Sequence, residues 1–240
     1  MGIDILSQEE KICTFGCIYC QLGRKVRYVK ERRVYVKTED ILAELEALPG
    51  LGIDHITFSG RGESTLAENL GEAILKIKEV QEKPVAVLTN SSLMNREDVI
   101  KDLSLADVVI AKLDSFSEES LNSINKPDEG IRFGEILEGI KNFRKGYSGK
   151  LGLQIMLCPQ NKNEAESLAE LAHQIMPDEV QLSTPLRKCP IRPLSEEEVS
   201  RIKRLFSDFL VVTAYDSKSN ETKPISKEET AKRRESAYIS

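Results

Sequence analysis

The sequence contains no tryptophan, only two histidines and few aromatic side chains, and its apolar runs are no longer than a strand. The scarcity of aromatics predicts an aliphatic core. No run approaches the roughly 20 apolar residues of a membrane helix, so we expect no membrane contact. His55 and His173 lack ligand spacing, and we expect both to be ordinary core or surface residues. The N-terminal residues lack a signal-peptide pattern, which favours the cytoplasm.

The composition is that of a globular domain. Apolar residues make up 40% and charged residues 30% of the 240 residues, which is enough to bury a core without disulfides. The formal net charge of -5 argues against a general nucleic-acid-binding protein. The cysteine count of five is odd, and three cysteines lie within eight residues. Thiolate ligation therefore explains them better than disulfides in a reducing compartment.

Strand-like runs alternate with amphipathic helical stretches along most of the chain. Strands are expected within 54–60, 84–90, 106–114, 150–158, 179–185 and 210–216. Helices are expected within 67–80, 95–106, 129–145, 163–175 and 195–209. Repeating βα units predict an α/β fold with a parallel sheet. With a first strand before the cysteines, there are about six βα units. A full TIM barrel needs eight, so the fold is either an incomplete (β/α)6 TIM-type barrel or a doubly wound sheet.

The domain boundary and the helix starts can also be predicted. Residues 1–216 form the expected core domain, and the lysine-, serine- and glutamate-rich residues 217–240 form a polar C-terminal arm. Thr38, Asn163 and Ser195 are expected N-caps of helices.

Several strands pair an apolar face with a polar one. Lys112 and Asp114 share one face of their strand, and Gln154, Met156 and Cys158 share one face of the next. A parallel sheet rarely has one solvated face, so the pattern favours a polar interior that holds a ligand over a sheet open to solvent. Lys112 is a candidate Schiff-base residue, although an ion pair with Asp114 or with a ligand carboxylate explains it equally simply.

Cys13, Cys17 and Cys20 lie together in the stretch CTFGCIYC. Structural zinc takes four protein ligands, and Cys158 and Cys189 are far away in the sequence. A cubane iron–sulfur cluster normally takes four thiolates, so three would leave one iron open to a substrate or cofactor. On the cysteines alone, both a cluster enzyme and a zinc module completed by Cys189 remain open.

The spacing C-x3-C-x2-C, with Tyr19 before the last cysteine, is identified as the signature of the radical S-adenosylmethionine (radical SAM) superfamily. TFSGRGESTL (57–66) resembles the family's glycine-glutamate motif. LTNSSL (88–93) and KLDSF (112–116) lie at strand ends where cofactor contacts are expected. The resemblance covers residues 1 to about 210 and implies the incomplete six-unit barrel of that family.

Within the superfamily, the chain looks like a group of Fe–S oxidoreductases related to the wyosine-base-forming tRNA enzymes. CIYCQLGR, ERRVYVKTEDILAEL and VQLSTPLRKCP carry this likeness. Ser64 stands where the pattern usually has proline, and Ser91 where it usually has glycine. Neither departure removes a ligand.

The resemblance implies two cofactors. Cys13, Cys17 and Cys20 would hold a [4Fe–4S] cluster, and the amino and carboxylate groups of SAM would chelate its fourth iron. One electron from the cluster would break the sulfonium bond to C5′. The products would be methionine and a 5′-deoxyadenosyl radical that takes hydrogen from an unidentified substrate.

Further cofactor contacts are implied at the strand ends. Gly60 and Gly62 would let the backbone pass close to a ligand. Glu63 would accept hydrogen bonds from the SAM ammonium. The remaining expected contacts are Tyr19 near the adenine, Asp114, Asn90 and Ser115 at the ribose or other polar atoms, and Met156 in the pocket. Cys158, Cys189 and Lys112 are weak candidates for catalytic residues.

The stretch GRKVRYVKERRVYVK (23–37) has seven basic residues and follows the cysteines directly. It favours docking of an acidic electron donor, a flavodoxin or ferredoxin, because a donor must approach the cluster. Contact with tRNA and a merely solvated basic edge are the alternatives. The sequence therefore predicts a cytoplasmic radical SAM enzyme, with a tRNA-base modifier or a non-catalytic zinc- or RNA-binding module as alternatives.

Overall fold

The computed structural model describes residues 1–23, 25–48 and 52–216. The strands are β1 (Gly2–Ile3), β2 (Ile12–Cys13), β3 (Arg27–Tyr28), β4 (Ile56–Phe58), β5 (Val85–Thr89), β6 (Val108–Lys112), β7 (Lys150–Met156), β8 (Glu179–Ser183) and β9 (Val211–Thr213). The helices are α1 (Thr38–Glu46), α2 (Leu70–Val80), α3 (Glu97–Leu103), α4 (Glu118–Ile124), α5 (Phe133–Gly146), α6 (Ala165–Ile175) and α7 (Glu196–Lys203). The predicted arm at 217–240 lies outside the described residues.

Seven strands form one parallel sheet in the order β1-β4-β5-β6-β7-β8-β9, and β2 pairs with β3 in a second, two-stranded sheet. A doubly wound sheet reverses its strand order at the ligand site. Here the order follows the chain throughout, with β1 and β9 as the two edges of the described sheet. The α/β fold of an incomplete TIM-type barrel is therefore confirmed.

The sheet is apolar on the face that the helices cover. Leu153, Val180 and Leu182 are fully buried on that face. The opposite face carries a polar row, in which Gln154 lies in register with Lys112 on one side and with Gln181 on the other. Gln154 Nε2 donates a hydrogen bond to Gln181 Oε1 at 3.0 Å. The polar inner face expected from the strand pattern is present, and its side chains are only partly buried.

The helix starts follow the sequence prediction in one of three cases. Ser195 caps α7 and forms a capping box. The prediction for Thr38 is wrong, because Thr38 is the first residue of α1 and Lys37 precedes it without a capping side chain. The prediction for Asn163 is also wrong, because that residue lies in a 3-10 turn that ends at Glu164, the residue before α6.

Helix α4 was not predicted. Its seven residues span only two turns, too short for a clear apolar period, and the helix begins after the N-cap Ser117. Its C-terminal end lies beside the cysteine loop, so this short element matters for the site. Within the described residues, none of the helices combines the length and the apolar character needed to cross a bilayer.

Candidate metal and cofactor site

The three clustered cysteines lie in a loop that begins in β2 and is held from outside by the end of α4. The Gly16 backbone N–H donates to the Lys126 carbonyl at 2.9 Å, and the Ile18 N–H donates to the Ile124 carbonyl at 3.0 Å. The Cys20 N–H closes the loop on the Cys17 carbonyl at 3.1 Å. All three thiols are free. The loop therefore presents three sulfurs from a backbone fixed by contacts more than 100 residues away in sequence.

A buried lysine lies beside these thiols. Lys11 is 7% exposed, and its ammonium donates to the Phe15 carbonyl at 2.8 Å. Burial lowers the pKa of Lys11, but the charges of Cys13, Cys20 and Cys17 outweigh it, and the net shift is upward. Burial raises the pKa of Cys13 to about 12, opposed in part by Lys11. Burial also raises the pKa of Cys17.

Glu63 is fixed after β4 by hydrogen bonds from the 3-10 turn that follows it and from the end of β5. It is 2% exposed. Its Oε1 accepts from Thr65 Oγ1 at 2.7 Å and from Thr89 Oγ1 at 2.6 Å, and its Oε2 accepts from the Asn90 backbone N–H at 2.6 Å. Burial raises the pKa of Glu63, and these hydrogen bonds offset part of the shift. The carboxylate is thus pre-positioned, with capacity left on Oε2 for a further donor.

Asn90 joins Glu63 to the cysteine loop. Its backbone N–H bonds Glu63, while its side-chain Nδ2 lies 2.7 Å from Thr14 Oγ1 and 3.6 Å from Cys13 Sγ. The next residue, Ser91, has φ +69° and a fully buried Oγ without a hydrogen-bond partner among the described residues. Ser91 occupies the position where the family pattern usually has glycine, and its backbone has the left-handed conformation that glycine adopts most easily.

Asp114 is the centre of a second network. Its Oδ2 accepts from the Tyr19 hydroxyl and from Asn125 Nδ2, the latter at 2.9 Å. Its Oδ1 accepts from the Met156 backbone N–H at 2.7 Å and from Lys112 Nζ at 3.3 Å. The expected ion pair of Lys112 with Asp114 is present. The carboxylate is 2% exposed and holds Tyr19 in place, while its predicted contact with SAM stays a prediction.

The other predicted residues lie around this network. Ser115 Oγ donates to Asn125 Oδ1 at 2.8 Å, which orients the Asn125 amide. Cys158 is fully buried and packs in one apolar cluster with Tyr19, with Cys189 at its edge. Burial raises the pKa of Cys158. The fold brings both distant cysteines towards the site, but it shows no catalytic role for either.

The two glycines of the glycine-glutamate stretch are needed by the protein's own packing. A Cβ at Gly60 would lie 2.7 Å from Asp4 Cβ. Gly62 has φ +148°, and a Cβ there would overlap the Ile12 carbonyl oxygen. Gly62 and Ile12 form an isolated parallel bridge, with the Glu63 N–H donating to the Ile12 carbonyl at 3.1 Å. The predicted approach of these glycines to a ligand is untested.

The basic stretch divides into one buried residue and an exposed set. The Arg32 side chain is 5% exposed and pairs with Asp98 at 2.9 Å and with Asp102. Arg24 lies outside the described residues. The exposed basic residues are Lys25, Arg27, Lys30, Arg33 and Lys37. Strand β3 pairs with β2, in register with Cys13, so the exposed charges adjoin the cysteine loop.

The residues present fit a thiolate-held cluster and a polar cofactor beside it. The donor set is three free thiols in one loop, and a cubane takes one thiolate per iron. In residues 1–23, 25–48 and 52–216, no three His, Cys, Asp or Glu side chains converge on the position of a single metal ion. The orphaned Ser91 hydroxyl and the fixed Glu63 carboxylate supply polar groups in the adjoining loops.

Sequence reasoning missed three polar residues of this site. Lys11 lies two residues before the first cysteine, and a lysine carries no signal in a chain with 30% charged residues. Asn125 follows the unpredicted α4. Thr89, which contacts Glu63, ends a strand whose sequence is otherwise apolar. Thr89 lies within the stretch 88–93, where cofactor contacts were expected, but it was not named as a site residue.

The comparisons with known proteins agree with this geometry. The model of the Radical SAM superfamily matches residues 11–172. A UPF0026 protein of Synechocystis sp. is 41% identical over 193 residues, which covers 80% of this chain and 72% of that protein. A Brachyspira hyodysenteriae protein named GTPase Obg is 31% identical over 242 residues, which covers 95% of this chain but 35% of that protein. These relatives do not confirm the grouping with wyosine-related enzymes, which stays a prediction.

Solved structures share the fold. SuiB of Streptococcus suis bound to S-adenosylmethionine matches with a TM-score of 0.66 at 14% identity, covering 85% of this chain and 48% of SuiB. AnSMEcpe with bound AdoMet matches with a TM-score of 0.66 at 17% identity, covering 89% of this chain and 63% of that chain. At these identities the likeness concerns the fold alone.

Proposed function

The chain belongs to the radical SAM superfamily, a family of enzymes that use a [4Fe–4S] cluster and SAM, and we propose that it cleaves SAM reductively at a cluster held by Cys13, Cys17 and Cys20. When bound, these cofactors supply one electron to the sulfonium and thereby a 5′-deoxyadenosyl radical that takes hydrogen from a substrate. The observation that carries the proposal is the single loop with three free thiols beside Glu63. Family membership also disfavours the alternative of a non-catalytic zinc- or RNA-binding module.

In this proposal the chain's own groups bind and orient. Glu63 accepts the ammonium of SAM at Oε2, since the Asn90 N–H is the hydrogen-bond donor to that oxygen and leaves it further capacity. Asn90 ties Glu63 to the loop of Cys13. Asp114 fixes Tyr19, whose buried ring would lie near the adenine. Ser115 and Met156 are proposed to line the same pocket.

The substrate is proposed to be polar. The inner face of the sheet carries the row of Lys112, Gln154 and Gln181, which are partly exposed. An amide and an ammonium in one row suit hydrogen-bonding groups such as a nucleobase edge or a carboxylate. Lys112 is proposed to contact that substrate rather than to form a Schiff base, because its Nζ already pairs with the Asp114 carboxylate. Cys158 and Cys189 are proposed to pack beside the pocket.

The proposed electron donor is a small acidic protein such as a flavodoxin or ferredoxin. Because β3 pairs with the strand that carries Cys13, the exposed Lys25 and Arg27 lie next to the cluster loop, where a donor must approach. The free state of all five cysteines supports a reducing cytoplasm as the compartment.

A tRNA base is the second candidate substrate, favoured by the exposed Tyr28 among these basic residues. Binding of the double variant Lys25→Glu/Arg27→Glu to flavodoxin and to tRNA would separate the two partners. If the basic residues dock an electron donor, the wild type should form a salt-sensitive complex with flavodoxin, and the double variant should not. A salt-sensitive complex with tRNA alone would support the second candidate instead.

The experiment that tests the proposed function is anaerobic reconstitution with iron and sulfide, followed by dithionite, SAM and mass spectrometry. We expect 5′-deoxyadenosine from the wild type and none from Cys17→Ala. A Cys189→Ala variant is the matched control, since Cys189 lies outside the three-cysteine loop, and it should retain the product. A wild type that takes up no iron and sulfide would refute the proposal.

A further inference from the structure

Cys13 has an amide donor whose orientation is fixed. Asn90 Nδ2 lies 3.6 Å from Cys13 Sγ, within the longer range of a hydrogen bond to sulfur. Asn90 Oδ1 accepts from the Ser92 backbone N–H at 3.0 Å. A backbone N–H can only donate, so the oxygen must face Ser92 and the NH₂ group must face the sulfur.

Cys17 has an equivalent donor from a different part of the chain. Asn125 Nδ2 lies 3.5 Å from Cys17 Sγ and 2.9 Å from Asp114 Oδ2. The carboxylate oxygen accepts, which again orients the NH₂ group towards the sulfur. Asn125 is 2% exposed, so water does not compete for this contact.

An ammonium lies beside the same sulfurs. Lys11 is buried and is anchored on the Phe15 carbonyl, and its charge interacts with those of Cys13, Cys20 and Cys17. Two of the three sulfurs are thus faced by an amide donor, from Asn90 after β5 and from Asn125 after α4, and the positive charge of Lys11 lies near all three.

We propose that Lys11, Asn90 and Asn125 are positioning residues that set the reduction potential of the cluster through its three cysteine sulfurs. The inference rests on the proposed function, because it needs a cluster at these thiols. The cluster gains one electron, supplied by dithionite in the test, and the added negative charge spreads onto the ligand sulfurs. Hydrogen bonds and a positive charge at those sulfurs stabilise the reduced form and raise the potential.

The test is a redox titration of the reconstituted enzyme followed by electron paramagnetic resonance. Lys11→Met removes the charge at nearly equal length, and Lys11→Arg retains it. At the wild-type midpoint potential, the ratio of reduced to oxidised cluster should fall about tenfold in Lys11→Met, a shift of about 59 mV for a one-electron couple. Lys11→Arg should stay within about threefold of the wild type.

Asn90→Leu is the second variant. Its ratio of reduced to oxidised cluster at the wild-type midpoint potential should also fall, because the hydrogen bond to Cys13 is lost. Lys78→Met is the control for loss of a lysine charge. Lys78 lies on α2 and pairs with Asp107, so the reduction potential of the cluster should not change in this variant. Unchanged potentials in both Lys11→Met and Asn90→Leu, with full iron and sulfide content, would overturn the inference.

If Lys11→Met assembles no cluster, the potential of Asn90→Leu decides alone. A wild type without a cluster would instead overturn the proposed function, and the iron content distinguishes the two failures.

Discussion

The substitution Gly62→Ala tests the contact that joins the glycine-glutamate stretch to the cysteine loop. Gly62 has φ +148°, which non-glycine residues rarely adopt. A Cβ there would overlap the Ile12 carbonyl oxygen and lie 2.7 Å from its carbonyl carbon. The obstacle is backbone, so it cannot rotate away as a flexible side chain would. Either Ile12 or Gly62 must move, and each adjoins a residue of the site.

The cost can be worked from these two effects. A strained backbone conformation costs about 1–3 kcal/mol. Forced displacement of packed neighbours costs about 1–3 kcal/mol more. Alanine also restricts the unfolded chain, which returns about 0.4–1 kcal/mol. The free energy of unfolding should therefore fall by at least about 1 kcal/mol, which lowers Tm by about 2–4 °C per kcal/mol in a chain of this size.

Two assays on the same variant check the reasoning. Urea unfolding gives the loss of stability, and iron and sulfide content after reconstitution reports the position of Cys13 next to the displaced Ile12. Gly134→Ala is the matched control, because a Cβ at this helical position meets nothing within 4 Å, and it should gain about 0.5–1 kcal/mol. Gly62→Ala with wild-type stability and full cluster content would refute the close approach of the two segments.

Three further predictions concern residues around the site. Arg32→Met should lower the free energy of unfolding by about 1–3 kcal/mol in urea titrations, because it removes the guanidinium that pairs with Asp102 and donates to the Thr65 and Ala67 carbonyls; a loss below about 0.5 kcal/mol would contradict this. Ser91→Gly should raise Tm, because it relieves a φ of +69° and removes an orphaned hydroxyl; a lower Tm would mean that the hydroxyl has a partner. Iron and sulfide uptake should accelerate from pH 7 to pH 9, because burial raises the pKa of Cys13 and ligation requires the thiolate; pH-independent uptake would contradict this.

The sheet and its polar inner face could be predicted from the sequence because both depend on local patterns. The alternation of apolar and polar residues in β6 and β7 predicted the polar inner face, and the row of Lys112, Gln154 and Gln181 lies there. The spacing of CTFGCIYC predicted a thiolate site because ligands so close in sequence need no tertiary contact to meet. Strand β3 escaped prediction, since two residues have no measurable period.

The side-chain contacts could not be predicted for a different reason. Asp114 was expected to reach a ligand or to pair with Lys112, but its partners Tyr19 and Asn125 come from two other segments. The basic stretch looked uniform, yet Arg32 turns inward because Asp98 and Asp102, both on α3, pair with it. Such pairings depend on how elements pack, and no spacing within one segment encodes them.

The cysteine loop shows why the site needs most of the domain. A short loop with three thiols cannot hold its own geometry, because few of its backbone groups pair within the loop. Its N–H groups at Gly16 and Ile18 are bound by carbonyls at the end of α4, and its start is bonded to β3 and to the segment before Glu63. Loosening α4 should therefore release the loop while leaving the central sheet intact. The three cysteines are close together in sequence, but the geometry of their loop is a property of the packed barrel.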